Sequence, residues 1–307
     1  MEDGLRMVGV GVCGAWPLPE DPTCAGLARR TYRGVAESLS LDPPLVDDGV
    51  TIVSELAANT LHVQGDCPRG GPELWLYLRG TGPRRELVCK VFDAYPGWLG
   101  GPPFGGAVTG HSSRVPADAV GGRGLEVVHE LSGGRWGYHL TRSRLGDDLS
   151  VRGKAVWFAV PVPAANAMNL PALGLPGNAG SAAEAMTELE TALSARGFGG
   201  SLVRADDSAA DMAVLSVCGG ITVWCRAGVA WLRAPGMSGQ RRSYSDLAEV
   251  AEQAVEACET MATDSGEQAR VPELAGVSRG GVPPESASQD GAFQASVSRL
   301  GASRVSV

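Results

Sequence analysis

The sequence predicts an α+β protein in which helices cover an antiparallel or mixed sheet, followed by a second, smaller module of order α-β-β-β-α and a disordered C-terminal tail. Three observations predict it. Strand patterns alternate and are joined by short turns, as where Glu73–Arg79 gives way through Gly80–Arg85 to Glu86–Asp93. Helical stripes precede and interrupt them, with Leu45, Ile52 and Leu56 on one face of a segment running from about Pro44 to Val63. The composition also breaks twice, at 164–180, rich in Ala, Asn, Pro and Gly, and after 263, where large apolar residues become scarce.

Composition excludes several classes. Of 307 residues 43 are glycine, about twice the average usage of roughly 7%, yet without the three-residue period of collagen. No apolar run approaches the ~18 residues of a membrane span, Ala155–Pro163 being the nearest. Met1-Glu2-Asp3 puts acid where a secretion signal needs positive charge, so a cytoplasmic protein is expected. The seven cysteines are odd in number and lack CxxC spacing, which reads as reduced thiols. His62, His111, His129 and His139 do not supply metal-site spacings. A net charge of −8 argues against nucleic acid as a partner. The 26 basic residues include only two lysines, Lys90 and Lys154.

In chain order, Pro22-Thr23 opens a helix over Cys24–Leu39, and a second helix runs from about Pro44 to Val63. Leu74, Leu76 and Leu78 share one face of the first strand, and Glu86–Asp93 is its antiparallel neighbour. The glycine-rich stretch 94–121 is about twice the ~12–15 residues beyond which a loop is usually functional or disordered. A helix over Gly124–Leu131 and strands near Trp136–Thr141 and Lys154–Val162 close the first domain, 10–163. After the linker 164–180, the small module 181–262 begins at the capping box Ser181-Ala182-Ala183-Glu184. Gly219-Gly220 joins two strands as a hairpin, Val229–Arg233 suggests a third, and Tyr244–Met261 returns to helix. Asp246, Glu249, Glu252, Glu256 and Glu259 cluster on that last helix; a solvated face is the expected reading, a basic partner the other. Residues 263–307 read as the tail.

Four pieces carry chemistry. Glu55 and Asn59 lie four apart and share a helix face, where a carboxylate can take a proton and a carboxamide oxygen can ligate a hard cation such as Mg²⁺. Asp93 ends a hydrophobic strand beside a loop, where it can accept hydrogen bonds from a ligand amino group. The glycine-rich loop is the third piece. The fourth, Gly121-Gly122-Arg123-Gly124-Leu125, opens a helix whose bare amides suit an anion. Each alone has an ordinary explanation: a surface pair, a turn residue, a disordered loop, a chance GxG. Their order along the chain is the stronger signal.

That order resembles the GHKL ATPase superfamily (gyrase, Hsp90-type, histidine kinase and MutL ATPases), and within it the ATP-binding proteins related to anti-sigma-factor serine kinases. Val53–Asn59 is similar to the family's N box, Val88–Asp93 with Pro96 to its G1 box, Gly122–Leu125 to its G2 box, and Gly153–Trp157 to its closing strand. The resemblance implies a two-layer sandwich of Bergerat type over 10–163, with ATP and Mg²⁺ as cofactors. It implies Glu55 as the general base and Asn59 as the Mg²⁺ ligand. Asp93 would meet the adenine amino group, with Gly97 beside it, and Gly122, Arg123, Gly124 and Leu125 would bound the phosphates under a lid formed by 94–121. The implied activity is a serine/threonine protein kinase acting on an anti-anti-sigma-like protein in transcription control. The other reading is a nucleotide-dependent switch that sequesters a regulatory partner or sigma factor without phosphoryl transfer. A homodimer is a further arrangement the resemblance implies. His129-Glu130-Leu131 is read as an ordinary helix histidine rather than a phospho-acceptor, since it follows the GxGL motif.

Overall fold

A computed structural model of the chain describes residues 13–63, 70–95, 123–145, 151–163, 179–236 and 239–268. Of the segments anticipated above, 96–122, 164–178 and 269–307 lie outside these residues, and with them Gly97 and Gly122. The described chain is α+β, with two five-stranded antiparallel sheets.

The first sheet is built from β1 (Cys13–Pro17), β2 (Glu73–Arg79), β3 (Glu86–Asp93), β4 (Trp136–Arg142) and β5 (Arg152–Pro161), in the order β1-β2-β3-β5-β4. Alternation gives it two unlike faces. Leu74, Leu76, Leu87, Cys89, Val91, Val156 and Phe158 pack under α1 (Cys24–Ser38), α2 (Pro43–Asn59) and α3 (Arg123–Leu131). Trp75, Tyr77, Lys90, His139 and Thr141 occupy the alternate positions and point the other way. Pro43 begins α2, where its missing N–H costs nothing, and the helix ends at Asn59 in a 3₁₀ turn over Thr60–Val63.

The second sheet differs from the three-stranded module expected. It has β6 (Val203–Asp207), β7 (Met212–Ser216), β8 (Thr222–Arg226), β9 (Val229–Arg233) and β10 (Gln240–Ser243), paired as a meander. Helices α4 (Ala182–Leu193) and α5 (Leu247–Gln268) cover one of its faces. Half of the predicted capping box is present: Ser181 Oγ accepts from the Glu184 amide at 3.2 Å, while the Glu184 carboxylate reaches one residue further back, to the Gly180 amide at 2.7 Å. Helix α5 runs to Gln268, beyond the Met261 expected.

Helix α5 packs against both sheets. Val250, Ala254, Val255 and Cys258 of α5 enter the second core, and Glu249, Glu252 and Glu259, on its opposite side, are buried against the first sheet. The solvated acidic face expected from the sequence is therefore overturned: the basic partner of this stripe is the chain's own first sheet. Glu252, 1% exposed, accepts from Lys90 at 3.1 Å, from Arg144 at 2.7 Å and from Arg196. Glu249 accepts from the Tyr77 hydroxyl and from Arg79, and Glu259 from Arg142 and Arg152. Arg144 and Arg196 lie over the Trp75 ring, 5.2 and 4.9 Å from its centroid. A carboxylate with three cations around it is held ionised, and burial alone would have pushed it the other way.

The expectation of reduced thiols is also corrected. Cys218, in the turn after β7, and Cys258, on α5, form a disulfide across 40 residues of sequence. Cys13, Cys24, Cys89 and Cys225 are free and buried. An odd count and wide spacing conceal a pair that only the packing of α5 brings together. Among the described residues no helix is long and apolar enough to cross a membrane.

Candidate functional site

The residues singled out in α2 and at the start of α3 meet. Glu55 and Asn59 are half-buried on consecutive turns of α2, at the edge of the stripe formed by Ile52, Val53 and Leu56. Gly124, at the start of α3, lies directly against them. A Cβ placed there would come within 3.0 Å of Glu55 Oε2 and 3.6 Å of Asn59 Nδ2. A side chain at 124 would therefore crowd the carboxylate, and glycine is what lets the first turn of α3 approach both polar groups. Leu125 turns inward and, with Val128, fixes α3 on the core. Arg123 begins α3.

Asp93 ends β3 on the same sheet face as Val91, the face covered by the helices, and is 7% exposed. The sequence suggests it as an acceptor for a ligand amino group; here both of its oxygens already have donors. Oδ2 accepts from Lys154 Nζ at 2.6 Å, and Oδ1 accepts from the Tyr95 amide at 2.9 Å. Lys154 also donates to the Tyr95 carbonyl at 2.7 Å. Lys154 is the direct cross-strand partner of Asp93 in the β3–β5 pair, so the ion pair is built into the register. Its neighbour Gly153 permits the close strand approach: a Cβ there would lie 2.1 Å from the Asp93 carbonyl oxygen. Each carboxylate oxygen of Asp93 retains a second lone pair as an acceptor.

The role of Lys154 is what sequence reasoning missed. The signal was present: both lysines of the chain are buried, at 4% and 5% exposure, within strands of Val, Phe and Ala. A buried ammonium requires a partner. Lys90 finds Glu252 and the Nε2 of His139 at 2.9 Å, and Lys154 finds Asp93. His139 donates from Nδ1 to the Leu140 carbonyl, which leaves Nε2 to accept from Lys90. Burial, reinforced by the Lys90 charge, lowers its pKa to about 3. His129 is paired with the Trp136 indole N–H at 3.2 Å. Among the described residues no group of three or more His, Cys, Asp or Glu could hold a metal ion by itself. The Glu55–Asn59 pair supplies two hard oxygen donors, a set suited to a cation completed by phosphate and water.

No protein-family model matches the chain, and no curated protein matches it.

Proposed function

We propose that the chain is an ATP-binding regulatory protein with a Bergerat-type site, acting as a cytoplasmic serine/threonine protein kinase of the anti-sigma-factor type on an anti-anti-sigma-like protein. The observation that carries this reading is the convergence of Gly124 on Glu55 and Asn59, three residues from two helices that are distant in sequence and meet with no side chain between them. In this reading Asn59 holds Mg²⁺, Glu55 takes the proton of the attacking hydroxyl, and Asp93 accepts from the adenine amino group. The backbone of 122–124, with Arg123, bounds the phosphates. The ion, when bound, neutralises charge developing on the phosphoryl oxygens. The protein's share is positioning: a carboxylate and a carboxamide held one turn apart, at the N-terminal end of a helix.

One observation favours the second reading, a nucleotide-dependent switch without phosphoryl transfer. Lys90 lies three residues before Asp93 on β3 and is tied to Glu252 of α5, so a change at the end of β3 has a short physical route to the second sheet. Calorimetric titration with Mg-ATP tests both readings at once. Binding that is lost in Asp93→Asn and retained in Glu55→Ala supports a nucleotide site. Labelled phosphate on an anti-anti-sigma-like substrate, abolished by Glu55→Ala, selects the kinase. Absence of Mg-ATP binding by the wild-type chain overturns both.

A further inference from the structure

The molecule is a stack of layers: three helices, the first sheet, α4 and α5, the second sheet. The stack ends on a sheet face that no described residue covers. Its inner side is apolar, with Leu215, Val223, Cys225 and Leu232 under the helices. Its outer side carries Trp224 directly opposite Trp231 on the adjacent strand, with Trp224 36% and Val203 68% exposed. Arg241 lies over Trp231, 4.9 Å from the ring centroid, and Arg226 and Arg233 are exposed on the same side. Asp207 is the one acid on this side among the strand residues. This face is basic and aromatic although the chain carries a net charge of −8.

The chain itself demonstrates what such a face accepts. The second face of the first sheet has related chemistry, with Lys90 and Arg144 over the rings of Tyr77 and Trp75. It is covered by α5, a helix with six acids and no base. Aromatic rings provide area, guanidinium groups provide forked donors, and the carboxylates at i, i+3, i+7 and i+10 of one helix side reach them. At one end of the outer face a hollow of about 440 Å³, between Thr222, Trp224, Arg233 and the turn at Pro235-Gly236, offers room for an anchoring side chain. We infer that the outer face of the second sheet docks an acidic amphipathic helix of a partner protein, repeating in trans the contact that α5 makes in cis. Stacking of a single-stranded nucleic acid on the two tryptophans is the competing chemistry; three arginines on an acidic chain favour carboxylates over a phosphate backbone.

The test is calorimetry on the full chain with a defined probe, a synthetic 22-residue peptide of the sequence Leu247–Gln268. The same peptide with every acid replaced by lysine, and a thymidine oligonucleotide, serve as comparisons. The acidic peptide is expected to bind, with affinity reduced roughly tenfold or more at high salt, in Trp224→Ala and in Arg233→Glu/Arg241→Glu, while the circular dichroism of both variants matches wild type. The inference is overturned if the acidic peptide does not bind the wild-type chain, if the lysine peptide binds equally well, or if the variants leave its binding unchanged. It is also overturned if the oligonucleotide alone binds and is lost in the variants.

Discussion

The ammonium of Lys154 lies 2.6 Å from Asp93 Oδ2, directly across the β3–β5 ladder, with both side chains nearly closed to solvent. Removing one partner of a buried pair leaves the other charged and uncompensated. Lys154→Met is expected to lower the unfolding free energy by about 3 kcal/mol, and Asp93→Asn/Lys154→Met to recover most of that loss. Denaturant melts of the single and double variants measure it; a single variant as stable as wild type refutes the pairing.

Gly124→Ala tests the candidate site without altering a charged group. Its methyl would sit 3.0 Å from Glu55 Oε2, so the carboxylate must swing aside. The end of a glutamate side chain moves easily, and the melting temperature should change little. Mg-ATP affinity should fall roughly tenfold, since small misplacements at a site are costly. A variant that binds like wild type removes Gly124 from the site.

Glu252→Gln leaves Lys90, Arg144 and Arg196 facing one another without their shared counter-charge. A loss of about 3–5 kcal/mol in stability is expected, together with faster proteolysis of α5. Unchanged melts and digestion rates would contradict this account of how the two sheets are joined.

Two groups, the half-buried Glu256 and the buried His139, give opposite pH dependences. The Glu256 carboxyl is pushed up to about 7, mainly by burial, with Glu249 and Glu252 adding to it and Lys90 opposing. Its neutral form is native, so its contribution is complete below the ordinary glutamate value and is lost as pH rises through about 7. His139, lowered to about 3, is also native when neutral, so its contribution is complete above its ordinary value near 6.5 and is lost as pH falls toward 3. Between about pH 4.5 and 6.5 the two slopes, each ~1.4 kcal/mol per pH unit, oppose each other. Glu256→Gln removes one of them, so its stability advantage over wild type should grow from pH 4.5 to pH 7. Urea melts across that range decide it; a constant difference would be the wrong outcome.

The Cys218–Cys258 bridge closes a loop 40 residues apart in sequence, for which chain entropy predicts about 4 kcal/mol. Reductant should lower the stability of wild type by that order and leave Cys218→Ser/Cys258→Ser unaffected. Equal sensitivity of the two proteins to reductant would remove the bridge.

The pairing of the candidate residues on α2 was legible because it is local. Glu55 and Asn59 are four apart on one helix, and the Leu74–Leu76–Leu78 alternation identified the face of β2 that packs under α1 and α2. Two strands were not legible. In β1, Cys-Gly-Ala-Trp-Pro has no alternation and contains two poor strand formers, and its edge position comes from pairing with β2. In β10, Gln-Arg-Arg-Ser has no apolar residue and is a strand only because β9 lies beside it. The acidic stripe of α5 was misread for a related reason. A helix with a polar side is normally exposed there, whereas this one lies between two sheets and buries its carboxylates against cations from distant strands and turns.

The placement of α5 also sets an order of events in synthesis. Lys90, Tyr77 and Trp75 leave the ribosome early, yet their cover is the last described helix, ending at Gln268. Until that helix is made, a buried lysine and a wide aromatic surface have no lid. The second face of the first sheet is therefore completed only after α5 has been made. Surface that is exposed until a late segment arrives is where nascent chains associate wrongly, so the placement of α5 bears on folding during synthesis as well as on final stability.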